Sequence, residues 1–242
     1  MGMTVWQGIS QIDGVTPIVV IATFGKAGKA SANEKTGDMI QTFILRADME
    51  PWEAIQTGQD EAICGVCPHR GKASGGTGAC YVRVYQAPLS TWRSWDRGNA
   101  EAFDLERFRG RKVRIGSYGD PAAVPVAVWQ EIVAVAAATT GYTHQWRKAD
   151  PAFAAFCMAS TDSVAERREA RLMGYRTFHV RALGTGKGKG EIVCPASAEA
   201  GKRTVCASCL QCGGTGNGRT GDITIMAHGA SKRAFAPLAV SA

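Results

Sequence analysis

The sequence has no apolar run approaching the ~18 residues that a membrane-crossing helix needs, so a membrane span is excluded. Its start, MGMTVWQGISQIDG, lacks the basic-then-apolar shape of a secretory signal, and a cytoplasmic location is expected. There is no phosphate-binding P-loop, no GxSxG elbow and no HExxH pair. Helix-turn-helix and zinc-finger spacings are missing, which argues against specific DNA reading. No repeat of about 20 to 50 residues is visible, so a solenoid is excluded. Charged residues make up 20% and hydrophobic residues 45%, a balance that argues against wholesale disorder. With 242 residues, the chain fits one large α/β domain or a smaller barrel with an appendage.

What the sequence does have is positive charge and cysteine. Lys and Arg number 28 against 21 Asp and Glu, a net charge of +7 that favours polyanionic partners, DNA or RNA above all. Eight cysteines are present, and seven fall in two sets. In a cytoplasmic protein able to bury its own core, closely spaced cysteines read as metal binding or redox chemistry rather than as disulfide staples.

Three regions follow from the patterning. Residues 1–39 carry two β-like runs, Val5 to Ile12 and Pro17 to Phe24, joined by Asp13-Gly14, which reads as a hairpin followed by the linker GKAGKASANEKTGD. That linker reads as solvated, although its lysines could meet phosphates. Residues 40–190 alternate strand and helix signals, with strands at Ile40 to Leu45, Lys112 to Ser117, Tyr142 to Gln145, Phe153 to Ala159 and Arg176 to Arg181. Helices are predicted within Cys80 to Arg97, over Pro125 to Thr139 and over Val164 to Met173, the last closed by Gly174. Short strands at Ile192-Val193 and Ile223 to Ala227 fall in a cysteine-rich C-terminal segment, 191–242. The expected fold is a (β/α) barrel-like core, complete or not, or an open doubly wound sheet. In both, ligands gather at the C-terminal ends of parallel strands.

The first cysteine set lies in ICGVCPHRGKASGGTGAC. Cys64 and Cys67 are spaced so that a tight turn brings both sulfurs to one side, and Cys80 can return as a third ligand. His69 is a candidate fourth ligand or a surface histidine beside a proline turn. Arg70 and Lys72 are expected to favour the thiolate form. The second set is Cys194, Cys206, Cys209 and Cys212, four thiols that suffice for closed tetrahedral zinc or an iron–sulfur cluster. His228 could replace Cys194 as a ligand. Both sets could instead be reduced structural thiols, and Cys157 reads as a small buried hydrophobe.

Polar residues recur at the expected strand ends. Tyr118, Gly119 and Asp120 follow one strand, and Asp120 is a candidate base, nucleophile or ligand-orienting carboxylate, or else the first residue of an Asx turn before Pro121. Thr143, His144 and Gln145 end another, with Trp146 as a stacking ring. Ser160, Thr161 and Asp162 end the next, where helix capping is the ordinary alternative. Arg46 and Asp48 follow the first strand of the core. Asp120, His144, Tyr118 and Asp162 are thus the candidate catalytic residues. Gly119, Thr143, Gln145 and Ser160 are candidates for holding a cofactor.

The stretches LRADMEPWEAIQTGQDEAICGVCPHRG, RIGSYGDPAAVP, GYTHQW and EIVCPASAEAGKRT resemble an uncharacterised family of bacteriophage and prophage proteins across most of residues 33–229. That resemblance implies a host-cell cytoplasmic protein. In layout the chain also resembles radical S-adenosylmethionine enzymes, which place a cysteine loop after the first barrel strand and a Gly-Gly-Glu-Pro motif after the second. Cys64, Cys67 and Cys80 follow Ile40 to Leu45, and Gly119-Asp120-Pro121 ends the next strand, although Cys-x2-Cys-x12-Cys replaces the usual Cys-x3-Cys-x2-Cys. The resemblance implies an iron–sulfur cluster with S-adenosylmethionine, an auxiliary cluster on the C-terminal cysteines and modification of a nucleic acid or nucleotide. A further likeness is to tRNA-guanine and DNA 7-deazaguanine transglycosylases, which implies zinc on Cys206, Cys209, Cys212 and His228 and Asp120 as nucleophile. The non-enzymatic alternative is a zinc-stabilised module that binds nucleic acid through its net charge.

Overall fold

Nine strands form one sheet: β1 (Gly2–Ile9), β2 (Pro17–Thr23), β3 (Ile40–Arg46), β4 (Lys112–Tyr118), β5 (Ala138–Thr143), β6 (Met158–Thr161), β7 (Thr177–Arg181), β8 (Glu191–Val193) and β9 (Asp222–Met226). The structure is a computed structural model that describes residues 2–25 and 35–235. Helices α1 (Pro51–Gln56), α2 (Glu61–Cys64), α3 (Ala87–Asp96), α4 (Val126–Val135), α5 (Val164–Leu172) and α6 (Cys206–Cys209) occupy the connections. The chain is therefore α/β. No helix among the described residues is long and apolar enough to cross a membrane.

Strand order is β1-β2-β3-β4-β5-β6-β7-β9-β8. The pairs β1–β2 and β2–β3 are antiparallel, and every pair from β3 onward is parallel. The sheet is open rather than a closed barrel: β1 and β8 are its edges. Closure would need a first strand of the parallel set to meet the last. Here the antiparallel β1–β2 pair flanks β3 on that side, and β8 is only three residues long. β8 and β9, from the cysteine-rich C-terminal segment, continue the same sheet as the central strands.

Local chemistry explains most element boundaries. In the first hairpin Asp13 Oδ1 accepts from the Val15 and Thr16 amides at 3.0 Å, while Gly14 takes the left-handed backbone (φ 73°) the turn requires. Ser163 caps α5 by accepting from Glu166 N, and Gly174 follows the helix at φ 85°. The helix expected over 125–139 stops at Val135, because Ala137 N donates to Arg111 O and Ala138 pairs with Lys112. The threonines of ATTGYT then behave as strand residues, so β5 begins earlier than the strand read at Tyr142. Likewise Pro151–Ala155 is a 3-10 turn capped by Asp150, and the strand starts only at Met158. Cys80 to Gln86 is irregular, and α3 starts at Ala87 with Pro88 in its first turn. The N-terminal linker at 26–34 and the tail at 236–242 lie outside the described residues.

The two faces of the sheet differ in character. Val113 and Ile115 of β4 join Ile44, Trp129 and Ile132 in the main apolar core. The alternating residues Arg114, Gly116 and Tyr118 border a cavity instead, together with Phe43, Tyr142 and Phe178 of other strands. Trp129, on α4, is fully buried, and its Nε1 donates to Pro121 O at 2.9 Å, so it ties α4 to the chain leaving β4. Trp129→Ala is expected to lower stability by about 3–5 kcal/mol, read as a fall in the urea midpoint with little change in slope.

Candidate metal-binding cavity

The cavity measures about 610 Å³ and is bordered by all seven clustered cysteines: Cys64, Cys67, Cys80, Cys194, Cys206, Cys209 and Cys212. The two sets, read separately from sequence, thus face one space. All eight cysteines are free thiols, and Cys157 is buried in the main core away from the others, packed against Gly141. Among the described residues no three cysteine sulfurs lie within 4.8 Å of one another.

The first set is built around a clamped turn. Cys67 N donates to Cys64 O at 3.2 Å, and Gly65 between them has φ 54°. The Gln145 carboxamide spans this turn, donating to Cys64 O at 3.1 Å and accepting from Val66 N at 3.4 Å. A Cβ on Gly65 would meet that carboxamide at 2.4 Å, so the position admits only glycine. Gln145 therefore shapes the cysteine loop. The expected lowering of the thiols by Arg70 and Lys72 does not occur. Burial pushes Cys64 well above the ordinary thiol range and Cys80 up to about 11. Arg70 is spent on Ser74 O, at 2.9 Å, and on Glu61. Tyr118, at the end of β4, is buried with no hydrogen-bond partner for its hydroxyl; burial first and then Cys64 and Cys80 push its phenol well up.

Asp120 is a junction. Its Oδ1 accepts from Ala122 N at 3.0 Å and from the Thr143 hydroxyl at 2.7 Å, and its Oδ2 accepts from His144 N at 2.8 Å. Its own amide donates to Ile63 O at 2.6 Å. The Asx turn read from sequence is present, and the same carboxylate holds the Thr143 hydroxyl and the His144 amide. Thr143 passes the connection on, accepting from Gln145 N at 2.9 Å. Gly119 (φ 80°) lies so close to β3 that a Cβ would meet Ile44 O at 2.6 Å. Ser160 faces the cavity, while its carbonyl accepts from Trp146 Nε1 at 3.0 Å.

Beyond the ends of β5 and β6, His144 and Asp162 meet His69 from the cysteine loop. His69 Nε2 lies 2.7 Å from Asp162 Oδ1, and His144 Nε2 lies 3.3 Å from Asp162 Oδ2. His69, read from sequence as a fourth ligand of the cysteines or a surface histidine, turns Nε2 to this carboxylate. Burial opposes ionisation of Asp162, but the hydrogen bonds with His144 and His69 hold it far below the usual carboxylate range. Burial likewise opposes protonation of His144, but Cys67 and Asp162 outweigh it and raise the imidazole well above its usual value. Cys67 Sγ is 4.0 Å from His144 Nε2.

Of the second set, burial raises Cys194, and pushes Cys212 up to about 12. His228 is not drawn in as a ligand by Nε2, which lies 3.5 Å from Lys35 Nζ, while the ring stacks on Tyr81 at 4.9 Å. Burial and the lysine charge lower its pKa to about 4, so it is neutral at pH 7. Arg114 escaped the sequence reading. It is only 7% exposed, and its guanidinium lies 4.4 Å over the Tyr142 ring and donates to the Tyr81 hydroxyl at 3.2 Å. Its Nε has no partner among the described residues. The available signal was a charged residue between Val113 and Ile115 in a strand otherwise apolar on that stretch.

Comparison with protein-family models, curated proteins and solved structures finds no match to the chain.

Two outcomes are expected. Cys64, Cys80, Cys194 and Cys212 are protonated at pH 7 in the metal-free protein, so a soft metal must displace their protons. Metal affinity therefore strengthens as pH rises toward the thiol pKa values, by up to about tenfold per unit for each proton displaced. Competition for Zn²⁺ with a chromophoric chelator at pH 6.5 and 8.5 measures it, and a flat profile would mean the thiols are already ionised. Asp120→Asn removes an acceptor from a buried junction and is expected to cost about 1–3 kcal/mol, seen as a lower thermal midpoint.

Proposed function

We propose that this chain is a phage-type iron–sulfur enzyme, similar in layout to radical S-adenosylmethionine enzymes, that modifies a nucleotide or nucleic acid. The observation that carries the reading is the convergence of both cysteine sets on one cavity. Structural thiols scattered through a fold have no reason to share a space with a guanidinium whose Nε lacks a partner and a tyrosine hydroxyl without one among the described residues. Strands β2 to β7 and β9 contribute residues to that space, which supports treating the open sheet as an incomplete barrel wrapped around it.

The donor chemistry fits iron–sulfur better than mononuclear zinc. Tetrahedral zinc on four thiolates needs sulfurs about 3.8 Å apart, from bonds of about 2.3 Å. No three sulfurs among the described residues come within 4.8 Å of one another, wider than that tetrahedron, whereas in a cluster each iron takes one thiolate and the sulfurs stand farther apart. Cys64, Cys67 and Cys80 would hold one centre and leave a position unfilled, and the four C-terminal cysteines would hold the other. When bound, such a centre supplies one-electron chemistry beside the cavity. The chain's own residues bind and orient. Phe43, Tyr142 and Phe178 offer flat apolar walls for a base. Arg114 Nε is free to receive a carboxylate or phosphate oxygen, and the Tyr118 hydroxyl can donate to a ligand next to the first centre. A volume of about 610 Å³ lies within the ordinary range for small-molecule sites, about 300–1,000 Å³, and the net charge of +7 suits a phosphate-bearing substrate.

Anaerobic purification followed by iron, acid-labile sulfide and zinc analysis tests the reading. A brown protein with about four irons per centre is expected. Cys64→Ser and Cys209→Ser should each remove about half of the iron and leave the other half. Colourless protein with zinc and no iron would overturn the proposal in favour of a zinc-stabilised module.

A further inference from the structure

From the convergence of His69, His144 and Asp162 we infer a second kind of metal site, a mononuclear divalent first-row cation held by two imidazoles and one carboxylate beside the first cysteine set. These three side chains place one ligand atom each within 4.8 Å of the others, the group among the described residues that does so. The inference uses none of the cysteine donors and stands or falls independently of the iron–sulfur reading.

The spacing is that of ligands around one ion. Bonds of about 2.1 Å at right angles separate adjacent ligand atoms by about 3.0 Å. The two imidazole–carboxylate distances here are 2.7 and 3.3 Å. The His69 and His144 rings meet edge to face, 5.6 Å apart at 67°, so they are not stacked and both Nε2 atoms turn to the same carboxylate. Asp162 is almost wholly buried, with 2% of its side chain exposed, against 14% and 17% for the histidines. Both histidines border the cavity, so a cation there keeps coordination positions on the ligand side. Two histidines, one carboxylate and open positions form a set that suits Fe²⁺ and its neighbours among the first-row divalent ions.

Each ligand is held from behind. Asp120 Oδ2 fixes the His144 amide, Glu166 Oε2 accepts from Asp162 N at 2.8 Å, and the His69 carbonyl accepts from Cys80 N at 2.9 Å. Phe235 stacks on the His69 ring at 5.4 Å. These contacts pin the backbone of all three residues and the ring of His69, which limits how far the ligand atoms can part. Cys67 Sγ, 4.0 Å from His144 Nε2, marks how closely the site adjoins the first thiol set.

Mn²⁺ is the probe, because it favours nitrogen and oxygen donors over thiolates. Titration of the purified protein, followed by the loss of the free-ion paramagnetic resonance signal, is expected to show one saturable Mn²⁺ per chain. Asp162→Asn should weaken it by at least about a hundredfold, since removing even supporting groups costs ten- to a hundredfold. Cys64→Ser should leave it intact, and the iron and sulfide content of D162N should match the parent protein. If D162N fails to fold, His69→Gln, on the loop, provides the same test. Absence of saturable binding in the parent protein, or undiminished binding in the folded variants, would overturn the inference. Mn²⁺ binding in a protein without iron would leave this site standing while removing the cluster reading.

Discussion

Asp120 joins three stretches of chain that are distant in sequence. Its backbone amide donates to Ile63 O and grips the helical turn that carries Cys64; its carboxylate grips the end of β5 through the Thr143 hydroxyl and the His144 amide, and starts the turn leaving β4 through Ala122 N. Neighbouring parallel strands make the strand ends adjacent, but adjacency alone does not set the orientation of a side chain at the next residue. A carboxylate accepting from three donors in a buried place does. Burial pushes the Asp120 carboxyl up while those donors pull it down, so its ionised form depends on keeping the junction intact. The cysteine turn, His144 and Gln145 are therefore positioned by one residue, the first through its amide and the others through its carboxylate.

A second constraint is the pleat. Along β4, Val113 and Ile115 face the apolar core and Arg114 and Tyr118 face the cavity, so a slip of one residue would put a guanidinium under α4 and leave the cavity lined with aliphatics. Thr42 guards that register. Its hydroxyl donates to Arg114 O and accepts from Gly116 N, both at 3.0 Å, where the β3–β4 pairing is irregular. The other face of the distal sheet is charged rather than apolar. Arg167 and Arg171 both reach Asp222, and His179 Nδ1 lies 2.6 Å from Glu191. The buried carboxylates, Asp222 and Glu191, thus each have partners, which is the condition for tolerating them.

Features decided within a few residues were legible in the sequence. The strand at Ile40, the strand at Lys112, α5 with its Ser163 cap and Gly174 stop, and the Asp13-Gly14 turn all announce themselves by local pattern. Boundaries failed where pairing overrode propensity. Ala136 to Thr139 continue a helical pattern, yet a neighbouring strand supplies hydrogen bonds that no local count can reveal. The polar residues at strand ends were visible singly. Their grouping was not, because His69 and Asp162 are separated by 93 residues and only the folding of the long β3–β4 connection over the end of β6 brings them together. Arg114 was hidden for the opposite reason: a short strand read as wholly buried gave no hint that one of its faces borders a cavity.

Charge balance links the cavity's parts. Arg114 is buried, fully ionised and without a carboxylate partner among the described residues; Tyr81 and Tyr142 are its nearest company, with Cys206 and Cys212 acting on it from farther off. An uncompensated buried guanidinium costs several kcal/mol, so the fold implies an anion nearby. The thiols can supply that charge only when ionised, and burial keeps Cys194 and Cys212 protonated at neutral pH. A bound metal would resolve both problems together: it takes the protons from the sulfurs, and the thiolate-bearing centre that results carries the negative charge the guanidinium lacks. The same logic holds at the first set, where Cys64 and Cys80 are raised by burial and the Tyr118 hydroxyl waits for an acceptor. Neutral thiols and a buried guanidinium without a carboxylate partner thus share one cavity, and this shared charge problem links its two cysteine sets.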